Sequence, residues 1–124
     1  MKDFRDLKVW EKSHELALAA YEGTGDFPKN EMFGLVSQIR RCAASIPGNI
    51  AEGCGRCGNG EFHRFLQIAM GSASELEYHL LLSRDLSFLD DERYAALNRR
   101  VEEVKRMLAS LSRKVDGDRS RFRG

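Results

Sequence analysis

Hydrophobic positions along this chain recur at steps of three and four, the period of amphipathic helices. Leu7, Trp10, His14, Ala17 and Tyr21 make a first seam, which Gly23 and Gly25 bring to an end. Phe27-Pro28 opens the next element, with proline suited to a first helical turn and Glu31 to the positive end of the helix dipole. Met32, Leu35, Val36, Ile39, Cys42, Ala43, Ile46 and Ile50 form the second seam. Pro47 falls inside it, removes one backbone hydrogen bond and is expected to kink the helix. The glycine-rich residues 53–60 are expected to form a loop, with Asn59 capping the third helix. Phe62, Phe65, Leu66, Ala69, Ala73, Leu76 and Leu80 make a third seam, on a helix of about 25 residues and roughly 37 Å. Asp90 is placed to cap a fourth helix, whose stripe is Tyr94, Leu97, Val101, Val104, Leu108 and Leu111. After Ser112 the pattern fades. Residues 1–112 are therefore expected to be the folded domain and residues 113–124 a basic, disordered tail.

No segment has the period of a strand. Four helices with short connections predict an all-α, antiparallel, up-down-up-down bundle. The third helix also carries Ile68, Met70, Gly71, Ser72, Ser74, Leu81 and Leu82 outside its main seam. One bundle core does not cover so many directions, so a second packing surface and self-association are expected.

Composition narrows the class. The chain has 124 residues, 42% apolar and 31% charged, which suits one soluble domain. No apolar run approaches the ~18 residues of a membrane span. The opening Met1-Lys2-Asp3-Phe4-Arg5-Asp6 has charges where a signal peptide is apolar, so the expected location is the cytoplasm. The net charge of +1 hides an uneven distribution. From Arg93 onward there are ten basic residues against four acidic ones, a mildly basic strip on a near-neutral body. Such a strip permits an anionic partner without requiring one.

Candidate chemistry is sparse. Gly53-Cys54-Gly55-Arg56-Cys57-Gly58 has the spacing of a dinucleotide fingerprint but comes after a helix and lacks the required strand. Cys54-Gly55-Arg56-Cys57 is a C-x-x-C without a thioredoxin-like context. With His63 these cysteines supply three zinc donors where about four are needed, and Cys42 is a remote fourth, so no metal and no cofactor are expected. Di-iron bundles use Glu-x-x-His on two helices; the nearest pattern here is a single Glu75-x-x-x-His79. No nucleophile, base and acid fall together, and no catalytic residue is expected. Arg40, Arg41, Arg56 and Arg64 gather around the second helix and the glycine-rich turn, where loop amides and arginines can hold phosphate. Arg113, Lys114, Arg119, Arg121 and Arg123 add sequence-independent phosphate contacts, and Phe122 a stacking ring.

Several separated motifs, in order, resemble one bacterial family. They are Phe4-Arg5-Asp6-Leu7-Lys8-Val9-Trp10, Phe27-Pro28-Lys29, Gln38-Ile39-Arg40-Arg41 and, most specifically, Ser45-Ile46-Pro47 with Asn49-Ile50-Ala51-Glu52-Gly53. Glu61-Phe62, Gly71-Ser72 and Glu75-Leu76-Glu77 complete the likeness, which spans roughly residues 3–112. The chain resembles the four-helix-bundle proteins of 23S rRNA intervening sequences, which are related to the accessory proteins of diversity-generating retroelements. The resemblance implies a ring-like homopentamer. In the retroelement branch it implies nucleic-acid binding beside a reverse transcriptase. Pro47, Asn49, Glu52, Gly53 and Gly71 are the expected structural motif: Pro47 bends the second helix, Gly53 and Gly55 end it, and Asn49 and Glu52 satisfy backbone groups near the bend. Gly71 lets helix backbones approach. The expected function is a non-enzymatic, oligomeric, nucleic-acid-binding or ribonucleoprotein-associated module. The alternative is a scaffold that docks an enzyme such as a polymerase without touching nucleic acid.

Overall fold

The structure is a computed structural model describing residues 3–123, with side chains described for residues 3–118. Four helices make it up: α1 (Lys8–Gly23), α2 (Leu35–Gly55), α3 (Asn59–Asp85) and α4 (Asp91–Arg123). Short 3-10 turns at Phe4–Asp6 and Lys29–Glu31 precede α1 and α2, and the described residues contain no strand. Each helix packs on two others, in the cyclic order α1, α2, α3, α4. As numbers rise along α2, its partners on α3 fall: Arg41 meets Glu75, Ser45 meets Ser72, and Gly53 meets Phe62 and Phe65.

The seams expected on α2, α3 and α4 form the core. Ile39, Ile46, Ile50, Ala69, Ala73, Leu76, Leu80 and Val101 are fully buried. The α1 seam is rotated from expectation. Val9, Ser13, Leu16, Ala17 and Ala20 face inward, while His14 is exposed and Tyr21 is 47% exposed. Trp10 lies at the flank, stacked on His14 and edge-on to Phe4. Small residues win the inner face because they let α1 sit close to its neighbours. Ser13 is tolerated there because its hydroxyl donates to the Trp10 carbonyl. Met32 also lies outside the core, at 48% exposure.

The glycine-rich segment is mostly helix, contrary to expectation. α2 continues through Gly53 to Gly55, and only residues 56–58 separate it from α3. Gly58, at φ 84°, makes the reversal. It also occupies the cap position expected of Asn59, which is instead the first helical residue. Of the two glycines expected to end α2, Gly55 is its last residue, whereas Gly53 lies within the helix. It is buried, and a Cβ there would lie 2.9 Å from Phe65 Cβ and 3.0 Å from Phe62 Cδ1. Its role is to let α3 approach α2. Asp90 caps α4 as expected, accepting from the Arg93 amide at 2.7 Å. Beyond residue 112, α4 runs on to Arg123, and Val115 extends its buried stripe at 5% exposure.

Candidate nucleic-acid interface

The expected arginines fall into two groups at different heights of α2. Arg41 and Arg56 are fifteen positions apart, about 22 Å along the axis of α2. Arg40 reaches across to the end of α1. Its Nε donates to Thr24 Oγ1 at 3.0 Å, its other guanidinium nitrogen to the Tyr21 carbonyl at 3.3 Å, and its plane covers the Tyr21 ring. Thr24 is buried and donates in turn to the Ala20 carbonyl. Arg40 thus serves the terminal carbonyls of α1. Arg41 is exposed, bonded to Gln38 and 3.8 Å from Glu75.

Arg56 and Arg64 stand at the α2–α3 turn. Both guanidinium groups lie over Phe65, at 5.2 and 4.5 Å from its centroid. Each has its own carboxylate: Arg56 pairs with Glu52 at 2.6 Å and Arg64 with Glu61 at 3.0 Å. The Arg64 hydrogen bond holds the Glu61 carboxyl below its usual range and the Arg64 guanidinium above its own. The turn encloses a hollow of about 430 Å³, lined by Gly53, Cys54, Arg56, Cys57, Gly58, Asn59 and Phe62. Arg56 is the cation there, and its partner Glu52 offsets its charge.

Of the structural motif, Pro47 is buried within a continuous α2, where it has no amide to offer the Ala43 carbonyl. Asn49 donates to the Ser45 carbonyl at 2.8 Å and to Ser45 Oγ at 2.9 Å, next to the proline as expected. Glu52 does not join it, because Arg56, one turn on, takes its carboxylate. Ser45 bonds across to Ser72, tying α2 to α3. Gly71 does not mediate contact inside the chain: a Cβ there would meet nothing within 4 Å.

Besides Lys29 before α2, the exposed cations without an ion pair among the described residues are on α4. Arg99, Arg106 and Arg113 recur every seven residues and are exposed, with Lys114 beside the last. None of the four has an ion-pair partner among the described residues. Arg100 and Lys105 are tied instead to Glu15 and Glu77. Sequence reasoning singled out Arg113 and Lys114 but missed Arg99 and Arg106, whose signal was their seven-residue spacing. The expected contributions of Arg119, Arg121, Phe122 and Arg123 lie outside the described side chains.

Cys54 is buried, Cys57 is exposed, and neither forms a metal-binding group with His63 among the described residues. The group that does assemble is Cys42, Glu75 and His79, with donor atoms within 4.8 Å of one another. Burial, then the Glu75 carboxylate, pushes the Cys42 thiol up to about 12. The hydrogen bond from Cys42, then that from His79, holds Glu75 below the usual carboxylate range.

An all-α, four-helix protein with a basic outer face is the class these features define. The chain belongs to the 23S rRNA-intervening sequence protein family, which matches residues 5–110. It is similar to a crystal structure from Bacteroides thetaiotaomicron, a protein of unknown function from the S23 ribosomal protein family. The two share 29% identity and a TM-score of 0.76, over 84% of this chain and 97% of that one. No curated protein matches the chain. None of the described helices is long and apolar enough to cross a membrane.

Proposed function

We propose that this chain is a non-enzymatic, cytoplasmic module that binds nucleic acid, RNA or DNA, through sequence-independent phosphate contacts. The observation that carries the reading is the unpaired basic strip on α4: Arg99, Arg106, Arg113 and Lys114. Cations without carboxylate partners keep their full attraction for phosphate, whereas Arg56 and Arg64 have already met theirs. Arg40, Arg41, Arg56 and Arg64 then act as supporting contacts. The reading includes an antiparallel bundle with a proline-kinked α2, assembled as a homopentameric ring. A ring repeats the strip, so weak contacts gain by multivalency.

Binding of labelled RNA and DNA across a salt series tests this. Affinity is expected to fall steeply with salt. Replacing Arg99, Arg106, Arg113 and Lys114 with Gln is expected to reduce the salt slope by about one per lost phosphate contact. An unchanged slope would overturn the assignment to α4. No binding at low salt would overturn nucleic-acid recognition altogether.

A second reading, a scaffold that docks a protein such as a polymerase, is favoured by Phe33. This ring is 97% exposed beside Met32 at the entry to α2. Exposed aromatics of this kind anchor protein interfaces. A partner retained after nuclease treatment and lost in Phe33→Ala would favour that reading.

A further inference from the structure

Between α2 and α3, one turn away from the Ser45–Ser72 hydrogen bond, lie three side chains whose chemistry is that of metal ligands. Glu75 and His79 are one turn apart on α3, on the same face, with His79 Nε2 3.1 Å from Glu75 Oε2. Cys42 faces them from α2, its sulfur within 4.8 Å of a Glu75 carboxylate oxygen. One thiol sulfur, one imidazole nitrogen and one carboxylate oxygen lie within 4.8 Å of one another. We infer that Cys42, Glu75 and His79 form a three-ligand site for a divalent transition-metal ion of the zinc class, with a fourth position open to solvent.

Four observations support this. First, the donor set selects the class. A cysteine sulfur disfavours Mg²⁺ and Ca²⁺, while mixed sulfur, nitrogen and oxygen ligands suit Zn²⁺ and Co²⁺. Second, the geometry is close. Ligands at 2.0–2.3 Å around a tetrahedral ion lie roughly 3.3–3.8 Å apart, so the donors need to close by only about 1 Å. Third, the charges balance. A thiolate, a carboxylate and a neutral imidazole neutralise a divalent cation, which suits a place where Cys42 is 3% exposed and His79 16%. Fourth, His79 Nδ1 is buried without a hydrogen-bond partner, so the ring's bonding is incomplete in the metal-free chain. Entry is from the Glu75 side, because that side chain is 48% exposed and the other two are covered. On binding, the Cys42 S–H bond breaks, its proton leaves to solvent, and the sulfur–metal bond forms.

The competing account is a hydrogen-bonded staple with no metal, in which Cys42 and His79 both serve Glu75. Titration of the full chain with Co²⁺ under reducing conditions separates the two. One Co²⁺ per chain is expected, with the thiolate-to-cobalt charge-transfer band and the intense visible bands of a tetrahedral ion, all displaced by Zn²⁺. Cys42→Ala is expected to abolish the charge-transfer band. Glu75→Gln, at a half-exposed position that leaves the core intact, is expected to weaken Co²⁺ by at least about tenfold. The double variant C54S/C57S is expected to keep the wild-type spectrum. Circular dichroism of each variant establishes that it is folded. The proposal fails if wild type gives no tetrahedral cobalt spectrum. It fails equally if the spectrum is lost in C54S/C57S, or if Glu75→Gln binds Co²⁺ like wild type.

Discussion

Ser87 takes a backbone conformation that side chains avoid, at φ 67°. It comes just after the end of α3, where the Ser87 amide bonds to the Arg84 carbonyl and the Phe88 amide to the Ser83 carbonyl. That pair of bonds is a Schellman closure, and its left-handed residue is usually glycine. Phe88 then packs on Phe27, at 5.6 Å between centroids, so the closure also fastens the α3–α4 connection to the α1–α2 connection. A left-handed L-residue costs about 1–2 kcal/mol, part of which a glycine returns as unfolded-state entropy. Ser87→Gly is therefore expected to stabilise the chain by up to about 1 kcal/mol, read as a higher denaturant midpoint with an unchanged slope. A lower midpoint would mean that the hydroxyl matters there. Nothing in the local sequence marks Ser87 for this role, because the signal that marks such an ending is glycine itself. The Cys42–Glu75–His79 group was half legible at this scale. Glu75-x-x-x-His79 could be read along one helix, but Cys42 joins only when α2 folds against α3.

At the scale of elements, periodicity located α2, α3 and α4 because each has one continuous inward stripe. α1 was placed correctly but rotated: its large aromatic side chains drew the seam toward Trp10 and Tyr21, and of that seam only Ala17 is buried, joined inside by Val9, Ser13, Leu16 and Ala20. The glycine-rich turn misled in a related way. Glycine breaks an isolated helix, yet at Gly53 it is needed for helix contact, and only the position of Phe65 on α3 shows it. Gly53→Ala is expected to cost about 1–3 kcal/mol by overpacking against Phe62 and Phe65. Gly117→Ala on α4 is the counterpart, since its Cβ would meet nothing within 4 Å. It is expected to stabilise by roughly 0.5–1 kcal/mol through helix propensity. Thermal denaturation of both variants checks the contrast; Gly53→Ala matching wild type would refute the close-approach role. A gain at Gly117 also requires that α4 persist well past residue 112, as the burial of Val115 demands.

At the scale of the molecule, the outer faces of α2 and α3 carry little that would keep another protein away. Ala44 and Gly48 on α2, and Ile68, Gly71 and Ser74 on α3, are exposed, small or apolar. A Cβ at Gly48 or at Gly71 would meet nothing within 4 Å, so the absent side chains leave room that the chain itself does not use. Of the extra residues on the third helix, Met70 and Leu82 pack against the chain's own core and Ser72 bonds to Ser45, so only Ile68, Gly71 and Ser74 stay exposed. The sequence overstated the spare surface because periodicity marks faces and not the neighbours that cover them. The basic strip on α4 belongs to a different side of the bundle, so a ring built through α2 and α3 leaves it free. Two properties then separate. Gly71→Leu places a bulky side chain where a neighbouring backbone would approach, but where the isolated chain has space. Its helicity is expected to match wild type, while its mass by light scattering falls to that of a smaller species. Each remaining strip binds nucleic acid alone, so apparent affinity is expected to drop by roughly 10²–10⁴, the usual gain from linked contacts. The salt dependence per chain should persist, since Arg99, Arg106, Arg113 and Lys114 are untouched. A variant of wild-type mass would move the assembly face elsewhere. A smaller species of undiminished affinity would show that one strip suffices and that assembly serves another purpose.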